Sequence, residues 1–124
     1  MTGYPLLFQP QITSSGLSCP LLPFDATALD VADQITAALN DVIEGVVSVV
    51  PTGSVVTYVD VTGADAFGGH GLCDGAAASY IFPPTFAPAT GQPMPSSLHP
   101  TPAGQMAYAE AIADAGFLTT ALNG

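Results

Sequence analysis

The chain has 124 residues, ten acidic side chains and no lysine or arginine, for a formal charge of −10 at pH 7. Without a basic residue it cannot neutralise nucleic-acid phosphates, and an anionic membrane surface repels it. Only 8% of residues are charged against 48% apolar, so solubility rests on net charge and uncharged polar side chains, in a chain of one domain or part of one.

Gly3-Tyr4-Pro5-Leu6-Leu7-Phe8 is an apolar opening cut by Pro5, which reads as the end of a strand passing into a loop. Met1 and Thr2 ahead of it carry none of the basic residues of a signal peptide, so no targeting address is legible. Residues 9–24 hold Pro10, Pro20, Pro23 and the polar cluster Thr13-Ser14-Ser15-Gly16, and predict a loop without regular structure. Asp25 is the expected N-cap of a helix over 26–47. Leu29, Ala32, Ile35, Leu39, Val42, Ile43 and Val46 recur there at three and four, the spacing of a buried stripe. Asp25, Asp30 and Asp33 sit toward the helix end that favours anions. The apolar run over 46–50 is far short of the roughly 18 residues that span a bilayer, so no integral membrane segment is expected. Pro51 and Gly53 stop the helix.

Residues 54–61, Ser-Val-Val-Thr-Tyr-Val-Asp-Val, form an almost continuously apolar strand of the kind covered on both faces of a parallel sheet. Stub, helix and strand make one right-handed βαβ unit, and the fold class reads as α/β. Ligands in such sheets sit beyond the carboxyl ends of the strands, which directs attention to residues 62–75. Gly63, Gly68, Gly69, Gly71 and Gly75 rule out regular structure there, while Phe67, Leu72 and Cys73 would tie the loop down.

Cys19 and Cys73 are the only cysteines, too few for a zinc site. They read as a disulfide, with two buried free thiols as the other reading. A disulfide closing so long a loop could contribute on the order of 4 kcal/mol and would imply an oxidising, extracytoplasmic setting. Asp65, His70 and Asp74, with His99 as a fourth group, are ligand types without ligand spacing, so no metal and no cofactor is expected. His70 reads as a hydrogen-bonding post of its loop, and the remaining acids as a solvated face.

Residues 80–95 are a long loop with five prolines, carrying Phe82 and Phe86. Ser96-Ser97-Leu98-His99-Pro100-Thr101-Pro102 then sets a histidine in a turn just ahead of a helix predicted over 103–115. Thr101 can cap it and Pro102 suits its first position, with Met106, Ala109, Ile112 and Ala113 as its apolar stripe. The tail over 116–124 forms a final turn or frays. A histidine held this way suits the general base of a nucleophilic serine or cysteine. Yet no serine lies in a Gly-x-Ser-x-Gly elbow or a Gly-Asp-Ser context, and Ser79, Ser96 and Ser97 have no motif around them.

Four stretches together resemble the SGNH/GDSL-type serine esterases and lipases, in particular their secreted actinobacterial branch. Gly3-Tyr4-Pro5-Leu6-Leu7-Phe8 is similar to the "GYPxLF" segment after that family's fourth strand, and Val59-Asp60-Val61 to its last core strand. Phe67-Gly68-Gly69-His70-Gly71-Leu72-Cys73 resembles its "F-x-GHxLC" loop. Leu98-His99-Pro100-Thr101-Pro102-Ala103-Gly104-Gln105 resembles the "HPNxxGQ" block that carries the catalytic histidine, with Thr101 where the family more often has Asn.

The resemblance spans residues 1–124 and corresponds to the C-terminal half of one such domain. It implies a partial α/β/α sandwich, one βαβ unit plus a C-terminal helix on a truncated parallel sheet. It implies that His99 is the general base, and that Cys19 and Cys73 pair as in that branch. Many members have an Asp three residues before the histidine; Ser96 stands there, and its main-chain carbonyl would orient the imidazole instead. The nucleophile block, the oxyanion glycine and the Gly-x-Asn-Asp block would all precede Met1, so the chain alone is expected to be inactive. An ester or lipid is the substrate expected for the intact enzyme, a complementing N-terminal segment the expected partner, and the extracellular space the expected location. The competing readings are a non-catalytic, acidic, disulfide-stapled secreted module that binds through its aromatic loop, and one half of a split hydrolase.

Overall fold

A computed structural model describes residues 1–20, 22, 24–51 and 56–116. Its elements are a small antiparallel hairpin, β1 (Gln11–Thr13) and β2 (Gly16–Ser18), a long helix α1 (Ala26–Ser48), a single 3-10 turn at Leu72–Asp74, and a second helix α2 (Pro102–Asp114). The class is mixed α and β. The hairpin corrects the expectation of an irregular loop over 9–24: Gln11 pairs with Ser18, Ile12 with Leu17 and Thr13 with Gly16. The polar cluster is its turn, closed by a 2.7 Å bond from the Thr13 hydroxyl to the Gly16 carbonyl, with Gly16 at φ 112°. Pro10 and Pro20 flank the ribbon, where they remove no ladder bond.

Both helices begin where local chemistry sets them. The Asp25 carboxylate accepts from the Thr27 N–H at 2.7 Å, and the Thr101 hydroxyl accepts from the Gly104 N–H at 3.2 Å ahead of Pro102. Their buried faces differ from expectation. Of the predicted α1 stripe, Leu29 is buried, whereas Ile35, Leu39, Val42 and Val46 are exposed. The side turned to the rest of the chain instead presents Leu29 with two polar residues, Asp33 and Asn40. In α2 the buried residues are Gly104 and Ala107, with Tyr108 and Ala111 packed beside them, while Met106 is exposed. Small side chains face inward on α2 because the 80–81 segment lies close against it: a Cβ on Gly104 would run into the Tyr80 carbonyl oxygen.

The strand expected over 54–61 is described only from residue 56, and among the described residues it makes one isolated parallel bridge, Thr2 with Val59. Gly3 N–H donates to the Val59 carbonyl at 3.0 Å, and Val59 N–H to the Met1 carbonyl at 2.9 Å. The two segments joined through α1 therefore run parallel, but Pro5 ends the pairing on one side, and no parallel sheet forms among the described residues. The core gathers around Phe67, Val61 and Ile81, each essentially inaccessible, with Leu29, Leu72 and Ala107. Phe67 meets the Tyr80 ring at 5.9 Å and the Tyr108 ring at 4.9 Å between centroids, both edge-on, and its burial stabilises by roughly 2–3 kcal/mol.

Cys19 and Cys73 form a disulfide, which sets aside the free-thiol reading. Among the described residues no helix is long and apolar enough to cross a membrane. The tail expected to turn or fray over 116–124 lies, from residue 117 on, outside the described residues.

Candidate functional site

His99 lies where two pieces of backbone meet. Residues 81–87 and 93–100 run antiparallel, with bridges between Ile81 and Pro100 and between Phe86 and Pro93, so the loop expected over 80–95 is one arm and the tip of a ribbon. The Phe82 N–H donates to the His99 carbonyl at 2.9 Å, and the Leu98 N–H to the Phe82 carbonyl at 3.1 Å. The Thr101 N–H donates to the Tyr80 carbonyl at 2.8 Å, so the histidine is bracketed by cross-strand bonds immediately before α2 begins. Leu98 takes φ 61°, a left-handed conformation that turns the chain into His99.

The imidazole itself is exposed, and among the described residues it has no hydrogen-bond partner. The Ser96 carbonyl accepts the His99 backbone N–H at 3.1 Å, which places the carbonyl beside the histidine through the main chain rather than through the ring. Ser97 is occupied elsewhere: its hydroxyl accepts from the Thr85 N–H at 3.0 Å and donates to the Thr85 carbonyl at 2.8 Å. Ser79 closes on Ile81 in the same way, donating to its carbonyl at 2.9 Å and accepting its N–H at 3.1 Å. Neither hydroxyl reaches His99, so no serine–histidine pair is assembled among the described residues.

The 62–75 loop packs against the opening segment. Phe67 and Leu72 are buried and Cys73 carries the disulfide, as their apolar character and spacing predict. Gln9, itself at φ 50°, holds this loop with its side-chain amide: Nε2 donates to the Leu6 and Phe67 carbonyls at 3.1 and 2.8 Å, and Oε1 accepts the Gly69 N–H at 2.8 Å. Leu72 and Cys73 donate their N–H groups to the Leu7 and Phe8 carbonyls, each at 2.8 Å. Gly71, just ahead of them, lies so near the Phe8 carbonyl that a Cβ would stand 2.7 Å from its oxygen, which is why this position lacks a side chain.

His70 faces Tyr80 ring to ring, with centroids 3.8 Å apart and planes within 1° of parallel. Its Nδ1 lies 2.8 Å from the Ala78 carbonyl, which can only accept, so Nδ1 carries the proton. Asp74 is drawn into its own turn, accepting from the Gly71 N–H at 2.8 Å and from the Gln11 amide. Asp65 is exposed. These groups and His99 do not converge, and among the described residues no three His, Cys, Asp or Glu side chains form a metal-binding cluster.

Two polar residues of α1, Asp33 and Asn40, position the whole opening segment. The buried Asn40 amide pairs with both backbone groups of Tyr4, accepting its N–H at 2.7 Å and donating to its carbonyl at 2.8 Å. The buried Asp33 carboxylate accepts the Phe8 N–H at 3.2 Å and the Gln9 N–H at 2.6 Å. Burial holds the Asp33 carboxyl above the ordinary aspartate range, partly offset by these N–H groups. A signal for them was present: they stand seven apart on a helix, hence on one face, opposite the valines. An open cleft of about 180 Å³ lies beside Asn40, lined by Asp41, Glu44, Tyr58 and Asp60, and His99 does not line it. Burial and the three nearby carboxylates raise the Tyr58 phenol above its ordinary value.

Compared with models of known families, with curated proteins and with solved structures, the chain has no match in any of the three.

Proposed function

We propose that the chain is the histidine-bearing C-terminal part of a secreted SGNH-like carboxyl-ester hydrolase. The observation that carries this reading is His99, an exposed imidazole free of hydrogen bonds among the described residues, on backbone bonded from both sides at the head of a Thr-capped helix. A ring free on both nitrogens and fixed at its Cα is available to accept a proton from a nucleophile brought to it.

In this reading the nucleophilic serine belongs to a complementing segment. His99 takes the serine proton as the oxygen attacks the ester carbonyl, and returns it to the leaving alcohol as the acyl-enzyme forms. Water then repeats the sequence, with His99 as base and acid, to release the carboxylic acid. The Ser96 carbonyl keeps a second lone pair for the imidazole, weaker tautomer control than a carboxylate gives. The Cys19–Cys73 disulfide is compatible with the extracellular location this reading assigns.

Purified chain incubated with p-nitrophenyl butyrate is expected to give no turnover above buffer. Addition of a segment carrying Gly-Asp-Ser and Gly-x-Asn-Asp blocks is expected to give hydrolysis that His99→Ala abolishes. Hydrolysis unaffected by that substitution, or none with any such segment, would sink the reading. A second reading, a non-catalytic module for acyl chains, is favoured by the exposed Phe82, Phe86 and Met94 on the ribbon. A fluorescent fatty acid bound equally by the chain and its His99→Ala variant would favour that module.

A further inference from the structure

Helix α1 buries two polar residues, Asp33 and Asn40, and leaves a run of apolar residues exposed. Leu29, Asp33 and Asn40 are its buried positions. On the opposite side Ala28, Ile35 and Val42, continued by Val49 at the C-cap, recur every seven residues, and all four are exposed, Ile35 by 66% and Val42 by 62%. Val31, Ala38 and Gly45 fill the position three residues further on in each interval and are exposed as well. This alternation of three and four is the pattern of a seam between two helices.

We propose that this face is a self-association surface, on which α1 of a second copy packs antiparallel about a two-fold axis at Ala38. In that register Val31 meets Gly45, Ile35 meets Val42 and Ala28 meets Val49, so bulky side chains oppose small or matching ones. On one shoulder Leu39 meets Leu39 of the other copy, and on the other Gln34 meets Asp41, a neutral donor opposite a carboxylate. No two carboxylates oppose one another along the seam. A parallel pair would instead set Asp41 against the valine and leucine shoulder and desolvate it without a partner. Antiparallel helices also bring opposite dipole ends together.

The large side chains on this face are about half to three-quarters exposed and amount to roughly 500–600 Å² per copy, so a pair that covered all of it would bury at most about 1,000–1,200 Å², the lower end of specific interfaces. The body of each copy lies behind its helix, on the Asp33–Asn40 side, and leaves the seam clear. Each copy carries −10, so the association is opposed at long range and strengthens with added salt.

Sedimentation equilibrium of the purified chain is expected to show a monomer–dimer equilibrium at about 10–100 µM, shifted toward dimer by salt. Val42→Asp is expected to give a monomer with unchanged far-ultraviolet circular dichroism. Single cysteines fix the direction: Ala38→Cys is expected to cross-link two copies on oxidation. Ile35→Cys is not, because antiparallel copies separate those positions by about 10 Å along the axis. A wild-type chain monomeric throughout that range would overturn the proposal, whether its face stays bare or takes another occupant. So would a Val42→Asp dimer, or Ile35→Cys cross-linking as fast as Ala38→Cys.

Discussion

Asp33 couples the fold to pH in a direction opposite to most carboxylates. Its carboxyl is buried against the Phe8 and Gln9 N–H groups, and desolvation raises it above the ordinary value of 3.8. The folded chain then holds this proton more tightly than the unfolded chain. Its contribution is fully present below 3.8 and is lost as pH rises through the raised value. Asp25, exposed at the N-cap of α1 and lowered by its bonds to Thr27, acts the other way and loses its contribution as pH falls below 3.8. Asp33→Asn should destabilise by about 1–3 kcal/mol near neutrality, since its amide can accept only one of the two N–H groups. The wild-type advantage in Tm should then shrink as pH is raised above 3.8 and through the raised value. An advantage that grows over that interval would contradict the assignment. Neither Asp33 nor Asn40 stands out by residue type alone, since the usual place of such groups is the solvated face. Their role depends on backbone far away in the chain.

At the scale of elements, what was legible was what is local. Asp25, Thr101 and Pro102 mark both helix starts because a cap is decided within three residues. Which face a helix buries depends on what lies against it, and there the periodicity of α1 and α2 misled. The hairpin was hidden because its prolines flank the ribbon, and the strand expected over 54–61 is reduced, among the described residues, to one bridge at Val59 because a strand exists only with neighbours to pair with. Gly104 shows the cost of ignoring the neighbour. In an isolated helix Gly104→Ala would stabilise by about 1 kcal/mol. Here the new methyl would strike the Tyr80 carbonyl oxygen, with the Pro100 and Tyr80 Cβ atoms at 3.1 and 3.2 Å. The substitution should therefore lower stability by about 1–3 kcal/mol, and thermal denaturation decides it. A higher Tm would show that α2 can move away from the ribbon.

At the scale of the molecule, long-range ties among the described residues take the place of the expected parallel sheet. The disulfide spans 54 positions and joins the segment after the hairpin to the loop held by Gln9. Replacing both cysteines by serine should remove about 4 kcal/mol in a urea titration. A loss under about 1 kcal/mol would show that the Gln9 and Leu7–Phe8 contacts hold the loop unaided. Of the candidate site, the position of His99 was readable because a turn and a helix start define it. What brings a nucleophile to it was not: the Ser79 and Ser97 hydroxyls are committed to backbone, and among the described residues no serine hydroxyl is hydrogen-bonded to the imidazole.

The stacking of His70 on Tyr80 makes the two histidines distinguishable without mutagenesis. The phenol ring current should move the His70 ring protons upfield in a proton magnetic resonance spectrum. The exposed His99 should resonate near its random-coil position. With two imidazole signals in the chain and one of them displaced, the resonance of His99 becomes a built-in reporter. Docking of any segment or ligand beside it can be followed on that single line.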